Sequence, residues 1–348
     1  MLHLMRIEAA KEKMQHLPVN PMILHSLRET ARLYTTHYST MIEGNQLEPN
    51  QVQKIIKHEG HFPGREREEH EVKGYYTALT QVEKWAAKNI KITEKHIQTL
   101  HAFVMANGRI HVKLSKYRDG QNVIRDARTK AIIYMPPEAK DVNELMISLI
   151  NWINHSNELP CPLVAAIAHY QFATIHPYYD GNGRTARLLT TLILYLGGYD
   201  LKGIYSLEEY YARNLGAYYD AISIGESHNY YMGRAEAEIT KWIEYFIEGM
   251  VFSFESILKH MTEAGKKGFS DQSGLLKKLD PKQRKALELF QQFEVVTSHQ
   301  VGELFGYKPR TSAALCAQWV KEDFLIVVDF SNRGRKYRLS DRYERLLK

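Results

Sequence analysis

Cysteine is nearly missing from this chain. Cys161 and Cys316 are the two that its 348 residues carry, far too few to staple a chain of this length, and they read as reduced core thiols of a cytosolic protein. Long apolar runs are missing too. The longest, Leu188 to Leu196, is broken by threonines, stops at Gly197-Gly198, and falls short of the roughly 18 residues that a membrane-crossing helix needs. The amino-terminal residues acquire charge at Arg6 and Glu8 before any apolar signal core forms. With 44% hydrophobic and 25% charged residues, the composition excludes disorder, collagen and a disulfide scaffold. A soluble cytoplasmic protein of two or three domains with no membrane partner is expected.

Charge is informative once it is located. Residues 275–348 hold fifteen Lys and Arg against nine Asp and Glu, a balance of +6 that equals the charge of the whole chain, so residues 1–274 balance to zero. The asymmetry marks a separate carboxy-terminal module and admits an acidic partner.

Apolar periodicity predicts a mainly helical chain up to about residue 260. Ile23, Leu27, Ala31 and Tyr34 line a helix over Met22–Tyr38. Further helices are expected over Thr93–Val104, Val142–Ile153, Pro162–Ile175, Thr185–Leu196, Glu208–Ile224 and Ala235–Lys259. Pro162 suits a first helical position and Gly197-Gly198 a helix stop. Residues 121–137 alternate instead, with Ala131, Ile132, Ile133 and Tyr134 ahead of Pro136-Pro137, and predict a short hairpin. Thr262–Gly274 is glycine-rich and polar and reads as a linker. Beyond it, helices over Lys282–Phe293, Ser298–Phe305 and Arg310–Glu322, then strands over Phe324–Phe330 and Lys336–Leu339, follow the order of a winged helix-turn-helix. Its would-be recognition helix offers Arg310, Thr311, Ser312 and Gln318, and Lys308, Arg333, Arg335, Lys336 and Arg338 could meet phosphates. Winged helices also dock proteins, so DNA and a protein partner both stay open.

The densest signal is His176-Pro177-Tyr178-Tyr179-Asp180-Gly181-Asn182-Gly183-Arg184-Thr185-Ala186-Arg187. Asp-Gly and Asn-Gly are hairpin signals, but neither neighbour is a strand and an apolar helix follows at once. Gly181, Asn182 and Gly183 therefore stand at a helix start, where free N–H groups and the positive end of the dipole attract phosphate. Missing side chains at the two glycines let an anion approach the backbone. Arg184 and Arg187, three apart, could both face a polyphosphate. A Walker loop is excluded because no Gly-Lys-Ser/Thr ending is present. A calcium loop from Asp180 would put Arg184 at a ligand position. What remains is a phosphate cradle with one carboxylate, Asp180, which suits Mg²⁺, and one imidazole, His176.

These residues match the signature of the Fic (filamentation induced by cAMP) family, His-x-Phe-x-Asp/Glu-Gly-Asn-Gly-Arg-x-x-Arg, at every fixed position but one: Tyr178 stands where the signature has Phe. The chain thus resembles that family. The similarity reaches upstream to Tyr117-Arg118 and the hairpin, which resembles the family's target-docking flap, and downstream to Tyr218-Tyr219 and the helix with Trp242. The resemblance implies protein AMPylation: AMP from ATP passes to a Ser, Thr or Tyr hydroxyl of a target protein, the chain itself included, and pyrophosphate leaves. In that reading His176 is the general base and Asp180 holds Mg²⁺. Gly181, Asn182, Gly183, Arg184, Thr185, Ala186 and Arg187 bind the nucleotide, and Ala131, Ile132, Ile133 and Tyr134 pair with an extended target segment. Tyr218 and Tyr219 flank the adenine or simply pack in the core. Ser39-Thr40-Met41-Ile42-Glu43-Gly44 resembles the family's inhibitory motif, with Glu43 placed to pair with Arg187. The same Glu43 could position a water for the reverse reaction, so a de-AMPylase, a transferase of another nucleotide, and a DNA-binding regulator with a nucleotide-sensing core remain alternatives.

The resulting expectation is a helical amino-terminal region (1–95) carrying the inhibitory motif, a Fic core (96–260), a linker (261–274) and a winged helix (275–348), with a homodimer left open. Sixteen histidines are scattered. His58 and His61 lack a third metal ligand, His169 reads as a core residue, and Arg65–Glu69 reads as a solvated helix face.

Overall fold

A computed structural model describes residues 2–17, 21–125, 129–224, 228–268, 278–329, 331 and 335–344. The chain forms two compact units, one of residues 1–12 and 30–257, the other of residues 13–29 and 258–348. Helices α1 (Leu2–His16), α2 (Pro21–Ile42) and α11 (Thr240–Gly268) contribute residues to both.

The first unit is helical. Around α8 (Asn182–Leu196) pack α7 (Cys161–Ile175), α5 (Glu94–Met105) and α4 (Glu66–Ala87), and α6 (Ala139–His155) lies against α7. The sequence dictates that centre. α7 buries Val164, Ala165, Ala168, Tyr170 and Phe172, and α8 buries Leu188, Leu189, Leu192 and Leu194. Helices apolar on most sides can only lie inside. Trp242 of α11 is wholly buried, and its indole N–H donates to the Ala166 carbonyl at 2.8 Å.

Several elements differ from the periodicity reading. α1, α3 (Pro49–Ile56) and most of α4 fall in the region expected to be helical, but their bounds were not legible, because charges interrupt their apolar stripes. Glu69, expected on a solvated face, is 3% exposed; it accepts the Phe62 N–H at 2.5 Å and pairs with Lys73 and His61. The single helix expected over 208–224 is two, α9 (Leu207–Arg213) and α10 (Leu215–Ile222). Asn214 ends the first, and its side chain caps the second by accepting the Ala217 N–H. α11 starts at Thr240 rather than Ala235, and it runs to Gly268, so residues 262–268 of the expected linker are helical; residues 269–274 lie outside the described ones. The hairpin forms from β1 (Ile124–Arg125) and β2 (Ile132–Tyr134), paired antiparallel.

The second unit holds α12 (Pro281–Gln292), β3 (Val296–Thr297), α13 (Ser298–Phe305), α14 (Pro309–Lys321), β4 (Leu325–Asp329), β5 (Lys336–Leu339) and α15 (Asp341–Glu344). Its antiparallel sheet has the order β3-β5-β4. Leu287, Val296, Val301, Trp319, Phe324 and Leu339 are among its core. Asp280 and Thr297 close capping boxes with Gln283 and Gln300. Phe330 and Arg333, named above in a strand and a wing, lie outside the described residues. Among the described residues, no helix is long and apolar enough to cross a membrane.

Removing the Trp242 side chain opens a cavity and orphans the Ala166 carbonyl. Trp242→Ala is expected to cost roughly 3–5 kcal/mol in denaturant unfolding, and Trp242→Phe distinctly less. A Trp242→Ala cost below about 1 kcal/mol would contradict the packing described.

Candidate active site

α7 ends at His176, whose N–H donates to the Phe172 carbonyl while its backbone takes the left-handed conformation, φ 51° and ψ 59°. This is unfavourable for a residue with a Cβ, and its neighbours hold it. Arg118, 3% exposed, donates from Nε to the His176 carbonyl at 3.0 Å, from Nη1 to the Gly120 carbonyl at 3.0 Å and from Nη2 to the Pro137 carbonyl. Its own amide donates to the Pro177 carbonyl. One buried guanidinium therefore fixes the turn and the base of the hairpin together.

The loop after His176 closes on Asn182, whose side chain accepts the Tyr178 N–H at 3.0 Å and donates to the Tyr178 carbonyl at 2.8 Å. Gly181 turns the chain at φ +75°, which glycine alone adopts without cost. α8 begins at Asn182, three residues before the periodicity placed it, so Gly183 and Arg184 belong to its first turn. Thr185 and Ala186 are fully buried, and the Thr185 hydroxyl donates to the Gly181 carbonyl. Tyr178 is buried, its ring stacked on His101 at 3.6 Å between centroids. His101 donates from Nε2 to the Asp180 carbonyl at 2.9 Å and accepts the Ser115 hydroxyl at Nδ1, 2.7 Å. Sequence reasoning missed His101, since a histidine on the apolar stripe of α5 carries no signal of what it faces.

The His176 imidazole points Nδ1 at the Ala173 carbonyl, 3.3 Å away. A carbonyl only accepts, so Nδ1 carries the hydrogen and Nε2 keeps a lone pair. Burial pushes His176 down to about 4, aided by the Arg118 charge. His101 is likewise pushed down to about 4 by burial. Both rings are neutral at pH 7.

The two arginines of the loop are buried. Arg184 lies 3.4 Å from Asp180 Oδ1 and 4.0 Å from Glu71, and its Nε has no partner among the described residues. Asp180 itself is exposed, and its Oδ1 accepts the Gly181 N–H at 2.6 Å. Arg187 is 1% exposed. It donates from Nε to the Ser39 hydroxyl at 2.7 Å, and from Nη2 to the Ser39 carbonyl and Glu43 Oε1, both 2.8 Å. α2 runs four residues past its expected end, so Ser39 lies in its last turn and Glu43 just beyond it. Burial works against the Arg187 charge, but Glu43 together with Tyr218 and Tyr75 outweighs it and holds the pKa above its ordinary value. A Cβ at position 183 would lie 2.2 Å from Glu43 Oε1. The carboxylate thus rests against the first turn of α8, where the backbone attracts anions, and a side chain at 183 would displace it from this position.

Tyr218 is buried, its hydroxyl 3.2 Å from Nε2 of His169, while Nδ1 of His169 meets Thr190. Tyr219 is 45% exposed and donates to the Ile42 carbonyl, one residue before Glu43. On the hairpin, Ala131, Ile132 and Ile133 are exposed, whereas Tyr134 is buried and donates to the Thr174 carbonyl. Beyond Tyr134 the edge of β2 is already engaged: the Met135 N–H donates to the His228 carbonyl at 2.7 Å, and the Tyr230 N–H donates to Met135. The geometry therefore joins Ser39, Glu43, His176, Asp180, Gly183, Arg184, Arg187 and Tyr219, which span 180 residues of sequence.

Residues 91–194 match the model of the Fic/DOC family. They carry a Fic domain. The match takes in α5, α6, α7 and most of α8, and hence the loop from His176 to Arg187, while Ser39, Glu43, Tyr218 and Tyr219 lie outside it. Over 209 residues the chain is 30% identical to protein adenylyltransferase fic-1 of Caenorhabditis elegans, covering 58% of this chain and 39% of that protein. It is 30% identical over 199 residues to protein adenylyltransferase Fic of Nematostella vectensis, covering 56% and 44%. The chain thus spans about two fifths of the length of these curated relatives. Its fold is similar to that of a Fic family protein from Desulfovibrio desulfuricans G20, with a TM-score of 0.58 and 20% identity over 98% of this chain and 97% of that one. A Fic domain containing signaling protein from Bacteroides thetaiotaomicron gives a TM-score of 0.62 at 22% identity, covering 74% and 97%.

The histidines beside the Fic loop make the first unit sensitive to acid. A histidine held near 4 in the folded state but titrating near 6.5 when unfolded binds fewer protons folded. Stability is therefore full above about pH 6.5 and falls as the pH drops towards 4. The His176 and His101 imidazole NMR shifts are expected to stay flat from pH 7 to about 5. A midpoint near 6.5 for either would contradict the burial described.

Proposed function

We propose that this chain is a Fic-type protein adenylyltransferase that carries its own brake. The observation that carries the reading is the Glu43–Arg187 pair, a carboxylate 2.8 Å from a fully buried guanidinium and against Gly183, on the spot where the Fic loop would hold nucleotide phosphates. In this reading Arg184 and Arg187 take the β- and γ-phosphates of ATP, and the Gly181, Asn182 and Gly183 amides line the α-phosphate. The oxygen of a target hydroxyl attacks the α-phosphorus, its proton passes to Nε2 of His176, and the bond to the β-phosphate oxygen breaks to release pyrophosphate. The tautomer fixed by Ala173 leaves Nε2 free for that proton. Asp180 fits a magnesium ion, being exposed beside the cradle and single, as suits an ion that fills its shell with phosphate oxygens and water; the ion would neutralise phosphate charge during attack. While Glu43 holds Arg187, a γ-phosphate meets a carboxylate instead of a cation, and productive binding is blocked. Tyr219 steadies the end of the brake through Ile42.

Hydrolysis of AMP from a modified target is the second reading, favoured by the accessibility of Glu43, about one third exposed, which leaves room for a water beside it. The second unit supports a winged helix through its element order, with Arg310, Thr311, Lys308, Arg335 and Lys336 exposed. Ser312 is not available for contact: it is 1% exposed and donates to the Pro309 carbonyl. Binding of DNA or of a protein by this unit remains a proposal, as do a homodimer and self-modification.

The test is incubation with α-labelled ATP and magnesium. Wild type is expected to label weakly, Glu43→Gly at least about tenfold more, and His176→Ala in either background not at all. Equal labelling in all three would reject the mechanism. A pre-labelled target that loses AMP only when Glu43 is intact would favour the hydrolase.

A further inference from the structure

Glu208 is a buried carboxylate that the proposed reaction does not use. It stands in the first turn of α9 and is 3% exposed. A carboxylate at a helix start is ordinary when water surrounds it. One taken out of water needs donors on its oxygens and a cation within its field. The donors are hydroxyls. Tyr75 of α4 donates to Oε1 at 3.1 Å, and Ser206 donates to Oε2 at 3.0 Å. Ser206 also caps α9 by accepting the Glu209 N–H, which leaves its own hydrogen for Glu208.

The cation is reached through the same tyrosine. The Tyr75 hydroxyl faces the Ser39 hydroxyl, and Ser39 accepts the Nε hydrogen of Arg187 at 2.7 Å. Arg187 and Glu208 thus stand at the two ends of a row of hydroxyls, with Ser39 and Tyr75 wholly buried between them. The Arg187 charge acts on Glu208, opposing the rise in pKa that burial imposes. Arg32, which lines a small cavity with Glu208, is already paired with Glu83 at 3.4 Å. Arg187 therefore lies in the field of two carboxylates, and they differ in what can replace them. Glu43 is about one third exposed and stands where a phosphate could take its place. Glu208 is enclosed and stays whatever Arg187 binds. Anions that share one cation repel each other, and in a poorly screened interior that repulsion reaches beyond contact distance.

We infer that Glu208 is the fixed counter-charge of Arg187: it weakens the hold of Arg187 on any anion approaching from the Fic loop, and so sets how strongly the site favours a triphosphate over a diphosphate. The inference rests on the transferase reading above, in which Arg187 takes the γ-phosphate. Glu208 acts on the nucleotide only through Arg187, and keeps that cation exchangeable between Glu43 and phosphate.

The test is calorimetric binding of ATP and of ADP, each with magnesium, to the full chain carrying His176→Ala to prevent turnover. Three forms are compared: Glu43→Gly, Glu43→Gly/Glu208→Gln and Glu43→Gly/Tyr75→Phe. ADP ends at the β-phosphate, so its affinity is expected to be unchanged and shows that the variants are folded. ATP is expected to bind at least about fivefold tighter to the Glu208→Gln form, where the counter-charge is gone. A smaller gain, about twofold, is expected for Tyr75→Phe, which keeps the carboxylate but breaks the row of hydroxyls. A damaged helix would lower affinity, not raise it. ATP affinity that is unchanged or weakened while ADP binding is retained would overturn the inference and leave the transferase reading intact. Equal changes for both nucleotides, or loss of ADP binding in both variants, would do the same by showing that Glu208 serves the fold alone. A Glu43→Gly form that binds ATP no more tightly than ADP would instead overturn the assignment of Arg187 to the γ-phosphate, and with it the reading on which the inference rests.

Discussion

A guanidinium buried at 1% exposure is the constraint on which the first unit turns. Taking a cation out of water is costly unless its hydrogens are matched by acceptors of good geometry. Arg187 cannot retract, because it lies on α8, the most enclosed helix of the fold. Its acceptors must come to it, and they come from the far end of the sequence: the Ser39 hydroxyl and carbonyl and the Glu43 carboxylate. That demand pins the end of α2 against the first turn of α8, where the absence of a side chain at 183 leaves room for the Glu43 carboxylate. On the proposed function the same demand is met by a phosphate. Glu43 and a nucleotide then compete for one unsatisfied charge, and inhibition needs no moving part beyond one helix end.

The loop between α7 and α8 is rigid for a different reason. Its shape is set by hydrogen bonds to backbone carbonyls: Arg118 on His176, Gly120 and Pro137, His101 on Asp180, and Asn182 on Tyr178. Such bonds fix the path of the main chain whatever the neighbouring side chains do. They also leave Nε2 of His176 without a hydrogen-bond partner among the described residues and Oδ2 of the exposed Asp180 clear of the bonds that its Oδ1 makes to the Gly181 N–H and Arg184. Tyr178, in place of the signature's phenylalanine, keeps the stack on His101, and its hydroxyl has no partner among the described residues.

Where apolar spacing was strong, as in α5 to α8, elements were legible to within a few residues. Where charges interrupt the stripe they were not. α4 carries Glu69 and Glu71 among its buried residues, and a carboxylate is read as solvated unless the partner that compensates it is known; for Glu69 that includes the Phe62 amide. The extra turn of α2 escaped notice because Ser39 and Thr40 look like polar ends, whereas both are buried and Thr40 donates back to the Thr36 carbonyl.

The linear chain determined the helical character of the first unit, the three longer helices and two longer strands of the second though not its β3 or last helix, and the loop from His176 to Arg187, because periodicity, turn chemistry and a contiguous motif are properties of neighbours in sequence. Only the tertiary structure decided that Glu43 lies on Arg187, that Arg118 and His101 hold the loop, and that His176 is neutral with Nε2 exposed to a proton. Those facts depend on which groups lose their water together, and that is settled by packing between segments as much as 144 residues apart.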